Sequence, residues 1–218
     1  MPQKFNPVNF SDDITADAKF NASLSSDRYT CKKFMKKEWD KLWTQCWLFA
    51  GVKSDLREPG DYFIYDIGRE SIIVTLNENN KISAFYNTCQ HRGNKILTID
   101  SGWVKKISCP YHGWTYSLDG ELKKIPDEEL FEGGVCKKES SLKEVNVDVW
   151  AGLVFINMSK DPAPLKTFLG AIIDQLNPYH FENMVLVKHQ SVTLDTNWKT
   201  ARDNFLEQYH VDFIHPQH

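Results

Sequence analysis

The sequence predicts an α+β protein: a helix near the N-terminus, one small antiparallel β domain after it, and the beginning of a second domain at the end. Three observations carry this. From Thr30 apolar residues recur with helical spacing; from Gly51 to Asn157 short apolar runs alternate with turn pairs; from Trp198 the helical spacing returns. The 218 residues suffice for one large domain or two small ones. The expected limits are 1–47 for an N-terminal arm and helix, 48–158 for the β domain and 159–218 for the start of the second domain.

Residues 1–28 are polar and aperiodic, which predicts an arm without a core face of its own. Met35, Trp39, Leu42 and Cys46 then fall at steps of four, three and four, the stripe of an amphipathic helix, with Thr30 as its N-cap. Strands are expected at Tyr62–Asp66, Ile72–Leu76, Ile82–Asn87, Val104–Ser108, Trp114–Leu118 and Leu153–Asn157. Pro59-Gly60, Ile67-Gly68, Asn79-Asn80 and Asp119-Gly120 supply turns between them. After Pro164 a helix is expected to about Asn177, then strand character over Met184–Asp195. From Asn197 a helix carrying Trp198, Ala201, Phe205 and Tyr209 closes the chain.

Bulk properties exclude several roles. Lys and Arg number 26 against 29 Asp and Glu, with no basic stripe, so nucleic acid is not an expected partner. The pairs Lys32-Lys33, Lys36-Lys37 and Lys123-Lys124 read as solvated faces. No run of about 18 apolar residues offers a membrane span and the N-terminus lacks a signal-peptide core, so a cytoplasmic protein is expected. Five cysteines, an odd number, do not suggest a disulfide framework; Cys31, Cys46 and Cys136 read as reduced, buried thiols. No Gly-rich phosphate loop is present.

The other two cysteines lie in two short segments of matching design, Cys89-Gln90-His91-Arg92-Gly93 and Cys109-Pro110-Tyr111-His112-Gly113-Trp114. Each supplies one thiolate and one imidazole, so two turns can close on one metal centre. A structural zinc site also uses two Cys and two His, but zinc fingers pair like with like, whereas here each segment mixes the types. Gly93 and Gly113 suit tight turns and are expected to leave backbone N–H groups pointing at the centre. The stretch Cys89–Tyr116 resembles the Rieske motif of the ring-hydroxylating oxygenase α subunits, Cys-x-His-Arg-Gly followed by Cys-x-Tyr-His-Gly-Trp-x-Tyr. The extra cysteines of respiratory-chain Rieske proteins are missing: Arg92 and Gly93 follow His91, and Gly113 and Trp114 follow His112. The resemblance implies a Rieske-type β domain holding a 2Fe-2S cluster through Cys89, His91, Cys109 and His112. Replacing two thiolates by neutral imidazoles raises the potential into about −150 to +300 mV, against about −400 mV for an all-Cys plant-type cluster.

A second constellation lies in Trp198–His218, WKTARDNFLEQYHVDFIHPQH. Glu207 and His210, three apart, would share a helix face. His215 is followed by Pro216, which disfavours the α conformation at His215, so the helix is expected to end between the two histidines and bring both rings together. Two imidazoles and a carboxylate with open positions make the facial triad of non-haem Fe(II) oxygenases. Asn197-Trp198-Lys199 with Asp203-Asn204-x-x-Glu207-x-Tyr209-His210-x4-His215 resembles the opening of the helix-grip-like catalytic domain of the same family. By that resemblance His210 and His215 are iron ligands, and Glu207 is the acidic residue that links one subunit's Rieske histidine to its neighbour's mononuclear iron. Glu rather than Asp there is similar to the branch acting on quaternary ammonium compounds. The family's third ligand, a distant Asp, would lie beyond His218, and neither Asp203 nor Asp212 has a spacing that marks it as a substitute. The expectation is an N-terminal part of an α subunit. His180 and His189 read as surface or core residues and the seven tryptophans as packing.

The family resemblance implies an oxygenase α subunit that takes electrons from a separate reductase or ferredoxin and passes them from cluster to Fe(II) for O2-dependent oxidation of an organic substrate, aromatic or quaternary ammonium. It also implies a homotrimer in which electrons cross between subunits. The competing expectation is a stand-alone Rieske electron carrier. The Trp198–His210 segment, with its spaced ligands, argues for the oxygenase.

Overall fold

The computed structural model describes residues 25–188, 190–215 and 217. The expected arm falls largely outside them, as do His189, Pro216 and His218. In chain order the elements are α1 (Asp27–Thr30), α2 (Lys32–Glu38), β1 (Leu48–Val52), β2 (Asp61–Ile67), β3 (Glu70–Leu76), β4 (Ile82–Tyr86), β5 (Ser101–Trp103), β6 (Ile107–Ser108), β7 (Thr115–Tyr116), β8 (Leu122–Lys124), β9 (Glu144–Trp150), β10 (Leu153–Asn157), α3 (Leu165–Leu169), α4 (Ile172–Leu176), α5 (Trp198–Phe205) and α6 (Val211–Ile214). They divide into two compact units, Glu38–Val192 and the remainder. No helix among the described residues is long and apolar enough to cross a membrane.

The larger unit is an antiparallel β domain of two sheets, one in the order β1-β10-β9-β4-β3-β2-β5 and one in the order β6-β7-β8. Strand β3 lies inside the sheet, between β4 and β2, because it is apolar on both faces. Ile73 enters a core with Tyr62, Phe85, Cys89, Cys109, Trp114 and Tyr116; Ile72 and Val74 point into another with Phe63, Ala84 and Val154. Period-two alternation assigns the two faces. Register follows, with Tyr62 opposite Thr75 and Ile72 opposite Tyr86. Six expected strands are present, with shifts: Val104–Ser108 becomes Ile107–Ser108, and Trp114–Leu118 shortens to Thr115–Tyr116. Strands β1, β5, β8 and β9 were not expected: flanking glycines and charges hide the alternation of β1, β5 and β8, whereas β9, with Val145, Val147 and Val149 between polar residues, carried a strand signal that was missed.

The first expected helix is broken. Thr30 ends α1 rather than capping a longer helix, and its hydroxyl bonds back to Ser26 O at 3.1 Å. Beyond α2 the chain runs through a π turn, Trp39–Trp43, in which Thr44 N reaches Trp39 O at 3.2 Å. A π turn adds a residue and rotates the following side chains, so the stripe does not stay in phase. Met35 is 62% exposed.

The helix after Pro164 forms in two pieces around Gly170, and Leu165 is buried with Trp47, Trp150 and Phe155. No described residue of Met184–Asp195 is in a strand. Val187 is 92% exposed, and the described residues of this segment pair with no strand, so no ladder stabilises an extended conformation. Cys136 is exposed and Cys31 and Cys46 are half-buried, against the expectation of buried thiols. Trp103, half exposed, is tied by its indole N–H to Pro59 O and is not a core residue.

Candidate functional site

The first loop springs from β4 and returns at Lys95, where an isolated bridge to Thr88 closes it. The second is the connection between β6 and β7. Their backbones are wired alike: Cys89 N donates to Asn94 O at 2.9 Å and Gly93 N to Cys89 O at 2.9 Å, while Cys109 N donates to Trp114 O at 2.8 Å and Gly113 N to Cys109 O at 3.0 Å. Gly93 and Gly113 have φ of +73° and +71°, and a side chain at either would be strained. The glycine amides therefore close the turns and do not point at the centre as expected.

This wiring sets the expected donors in two pairs, the sulfurs in the core and the imidazoles beside each other. Cys89 and Cys109 are 2% and 3% exposed. The His91 and His112 rings stand at the rim, centroids 4.7 Å apart and inclined at 67°. His91 stacks on buried Trp114 at 4.9 Å and 7°, with Phe131 edge-on at 6.4 Å. Tyr111 leans on His112 at 3.9 Å. A depression of about 350 Å³ opens here, lined by both histidines, Trp114, Pro126, Asp127, Leu130 and Phe131.

Burial pushes the Cys89 thiol up, opposed by hydrogen bonds from the Tyr116 hydroxyl and the His91 N–H, which favour thiolate. The Tyr116 hydroxyl lies 3.3 Å from Cys89 Sγ and accepts Gln90 N–H at 3.1 Å. Burial and the sulfur hold this phenol well above its usual range, so against a thiolate at Cys89 the phenol is the donor. His91 is held below the usual imidazole range, first by burial and then by His112 and Arg92.

The donor set fits a diiron cluster. His91 Nδ1 is buried with no hydrogen-bond partner, a costly state unless the lone pair meets a metal. The donors stand as a sulfur pair inside and an imidazole pair at the rim, the two-by-two division that a Rieske diiron centre uses.

Two supporting residues gave no clear sequence signal. Buried Asn87 brackets the first loop: its Nδ2 donates to Leu97 O at 2.7 Å and Ser71 Oγ at 3.2 Å, and its Oδ1 accepts Ile96 N at 3.0 Å and Leu97 N at 2.9 Å. An asparagine ending an apolar strand two residues before Cys89 was the available hint. Tyr116 sat inside the motif with no role attached.

In the smaller unit, α5 starts at Asn197, whose side chain caps Lys199 N at 3.0 Å. The helix ends at Phe205, before Glu207, so Glu207 and His210 do not share a helix face. Glu207 instead accepts Tyr209 N–H and His210 N–H and takes a close bond from His210 Nδ1. A side chain capturing amides two and three residues ahead competes with the helix and starts a new turn. That turn is α6, and it brings His210 and His215 together, centroids 5.5 Å apart at 73°. The histidines meet as expected, though through a short helix and not a reversal. The His210 bond holds the Glu207 carboxyl below the usual range. Asp203 is engaged by Tyr29, and no third donor joins the two histidines among the described residues.

Residues 46–140 match the family model described as Rieske [2Fe-2S] domain, and residues 181–218 match the ring-hydroxylating α subunit catalytic domain. The glycine betaine monooxygenase oxygenase subunit of Chromohalobacter salexigens is 32% identical over 97% of this chain and 48% of its own. The quaternary ammonium Rieske monooxygenase CntA bound to gamma-butyrobetaine superposes with a TM-score of 0.84 at 30% identity, covering 89% of this chain and 56% of that one. Naphthalene 1,2-dioxygenase with bound indole gives 0.78 at 32% identity, covering 84% and 42%. The chain spans about half the length of the curated relatives it matches.

Proposed function

The chain belongs to the Rieske-type ring-hydroxylating oxygenase α-subunit family, and from that membership we propose that it serves the O2-dependent oxidation of a small organic substrate, with quaternary ammonium compounds as the leading class. The observation that carries the reading is the pair of matched loops, which bury two sulfurs and leave His91 Nδ1 buried without a hydrogen-bond partner among the described residues. Cys89, Cys109, His91 and His112 would hold the cluster, and His210 and His215 a mononuclear Fe(II) with a carboxylate. When bound, these groups supply one-electron transfer and oxygen activation.

The chain's own residues set the conditions. Cys89 and Cys109 hold their sulfurs in the interior, where the Tyr116 hydroxyl lies against Cys89 Sγ and would donate to it once it is a ligand thiolate. His91 and His112 sit at the solvent edge, which would put electron entry and exit on the imidazole side of a bound cluster. Trp114 stacks on the His91 ring and Phe131 meets it edge-on, which fixes the ring's orientation. Glu207 holds the proton of His210 on Nδ1, which leaves Nε2 as the ligating atom. Electrons would come from a separate reductase or ferredoxin. In a homotrimer Glu207 of one subunit would stand between its own iron site and the neighbour's Rieske histidine. We take 48–158 as the cluster domain and 159–218 as the opening of the iron-binding domain.

The substrate class rests on Glu207 and on relatives named for glycine betaine and carnitine. A second reading is a stand-alone electron carrier, which would need only the cluster loops that lie within the Rieske match over residues 46–140. Anaerobic purification with iron, acid-labile sulfide and EPR analysis tests both. The oxygenase reading expects a third iron beyond the cluster pair, lost in His210→Ala and His215→Ala; iron equal to sulfide in all three proteins would leave only the carrier. Zinc without sulfide would overturn both.

A further inference from the structure

Lysine is seldom buried unless its charge is engaged, yet Lys199, at the start of α5, is 5% exposed. Its ammonium stands over three aromatic rings: Trp198 at 5.2 Å, Phe34 at 5.4 Å and Tyr29 at 5.6 Å. All three lie within the roughly 6 Å at which a ring face attracts a cation.

Tyr29 meets α5 at three points. Its carbonyl accepts the Asn197 side-chain N–H at 3.0 Å, its ring faces Lys199, and its hydroxyl donates to Asp203 at 2.9 Å. Asn197 and Asp203 are six residues apart, about 9 Å along a helix axis, so this tyrosine lies along α5 and fixes both ends. Asp203 belongs to the last turn, where Leu206 N closes the helix on Arg202 O and Asp203 O at 3.1 and 3.3 Å. Glu207 follows at once, and its carboxylate builds the turn that carries His210.

We propose that Tyr29 and Lys199 are positioning residues for the His210–His215 pair, acting through an ammonium-filled aromatic cage that fixes α5 against the segment Asp27–Phe34. The proposal rests on the reading of those histidines as Fe(II) ligands. The cage works by charge as well as shape: a neutral chain of equal length would fill the space but would lose the attraction to the ring faces. Small displacements at a supporting shell typically weaken metal binding 10- to 100-fold.

The test is an anaerobic Fe(II) titration of the full cluster-loaded chain, read by the EPR signal of the nitric oxide adduct. Lys199→Met and Tyr29→Leu should each weaken Fe(II) binding about tenfold and leave the cluster's visible and EPR spectra unchanged, while Lys199→Arg should bind as the parent does. In Lys199→Ala, n-propylammonium, which replaces the deleted atoms, should restore binding and 1-propanol should not. Undiminished Fe(II) binding by Lys199→Met, or equal rescue by propanol, would overturn the proposal. A parent chain that takes up no Fe(II) would overturn the iron reading instead. The tie is then judged by amide exchange over Glu207–His215, which must quicken in Lys199→Met; unchanged exchange refutes it.

Discussion

Replacing Tyr116 by Phe should lower the reduction potential of the cluster by tens of millivolts while leaving the fold intact. The ring is fully buried among Phe85, Ile107 and Trp114, and Phe keeps that packing. What disappears is one hydroxyl, 3.3 Å from Cys89 Sγ and 3.1 Å from Gln90 N. A hydrogen bond to a charged acceptor contributes roughly 1.5–3 kcal/mol. Only the difference between redox states moves a potential. The reduced cluster is the more negative, so it gains more from the donor. If about a third to a half of the bond's strength is differential, the change is about 0.5–1.5 kcal/mol, and at 59 mV per tenfold for one electron this is about 20–65 mV. Loss of the donor destabilises the reduced state, so the potential falls. Dye-equilibrated redox titration followed by EPR reads it, with iron and sulfide content confirming equal loading. A potential unchanged within about 10 mV, or raised, would refute the claim that Tyr116 donates to a cluster sulfur.

Cys109→Ser should lose the cluster and unfold the β domain, since ligation contributes folding energy; a folded, coloured variant by circular dichroism and absorbance contradicts this. Asn87→Leu removes four hydrogen bonds and strands the buried Ile96 amide and the half-buried Leu97 amide, which at about 1–3 kcal/mol for each unsatisfied group should cost about 2–5 kcal/mol in denaturant melts. A loss under about 1 kcal/mol would mean that the loop holds its shape without the bracket. For Glu207, the His210 bond lowers the folded pKa, so its stabilising effect is present above the ordinary glutamate range and is lost as pH falls through the lowered value. Protection of the Tyr209 and His210 amides should therefore persist at about pH 4.3, where a free glutamate is half protonated, and disappear at more acid pH. A midpoint at or above that pH, by NMR-detected exchange, would show that the carboxylate does not build the turn.

The cluster loops were legible in the sequence because their requirements are local. A thiolate, an imidazole two or three residues on, and a glycine able to take positive φ fit within five residues, and the backbone closes each loop with its own amides. Strands β2, β3 and β10 were legible for the same reason, since their apolar residues alone mark them. Where the deciding interaction is remote, the sequence signal failed. Nothing near Thr30 announces a π turn nine residues later, and nothing near Met184 says whether a strand will find a partner. Phe205 ends α5 because the side chain of Glu207 outbids the helix for Tyr209 and His210 amides, a competition that spacing does not register.

The same division explains why Tyr116 and Asn87 escaped notice while the ligands did not. A ligand is marked by its element type, whereas a residue that tunes or braces is marked only by what it touches. Tyr116 meets Cys89 across 27 positions, and Tyr29 meets Asp203 across 174. In both constellations the donors come from short segments and the groups that fix them come from far along the chain. Folding is thus a condition for the chemistry as well as a scaffold: a peptide carrying either segment alone would present the sulfurs or imidazoles without the phenols that orient them. A synthetic peptide of residues 197–215 should accordingly bind Fe(II) more weakly than the whole chain, and equal affinity would show that the distant tyrosine contributes nothing.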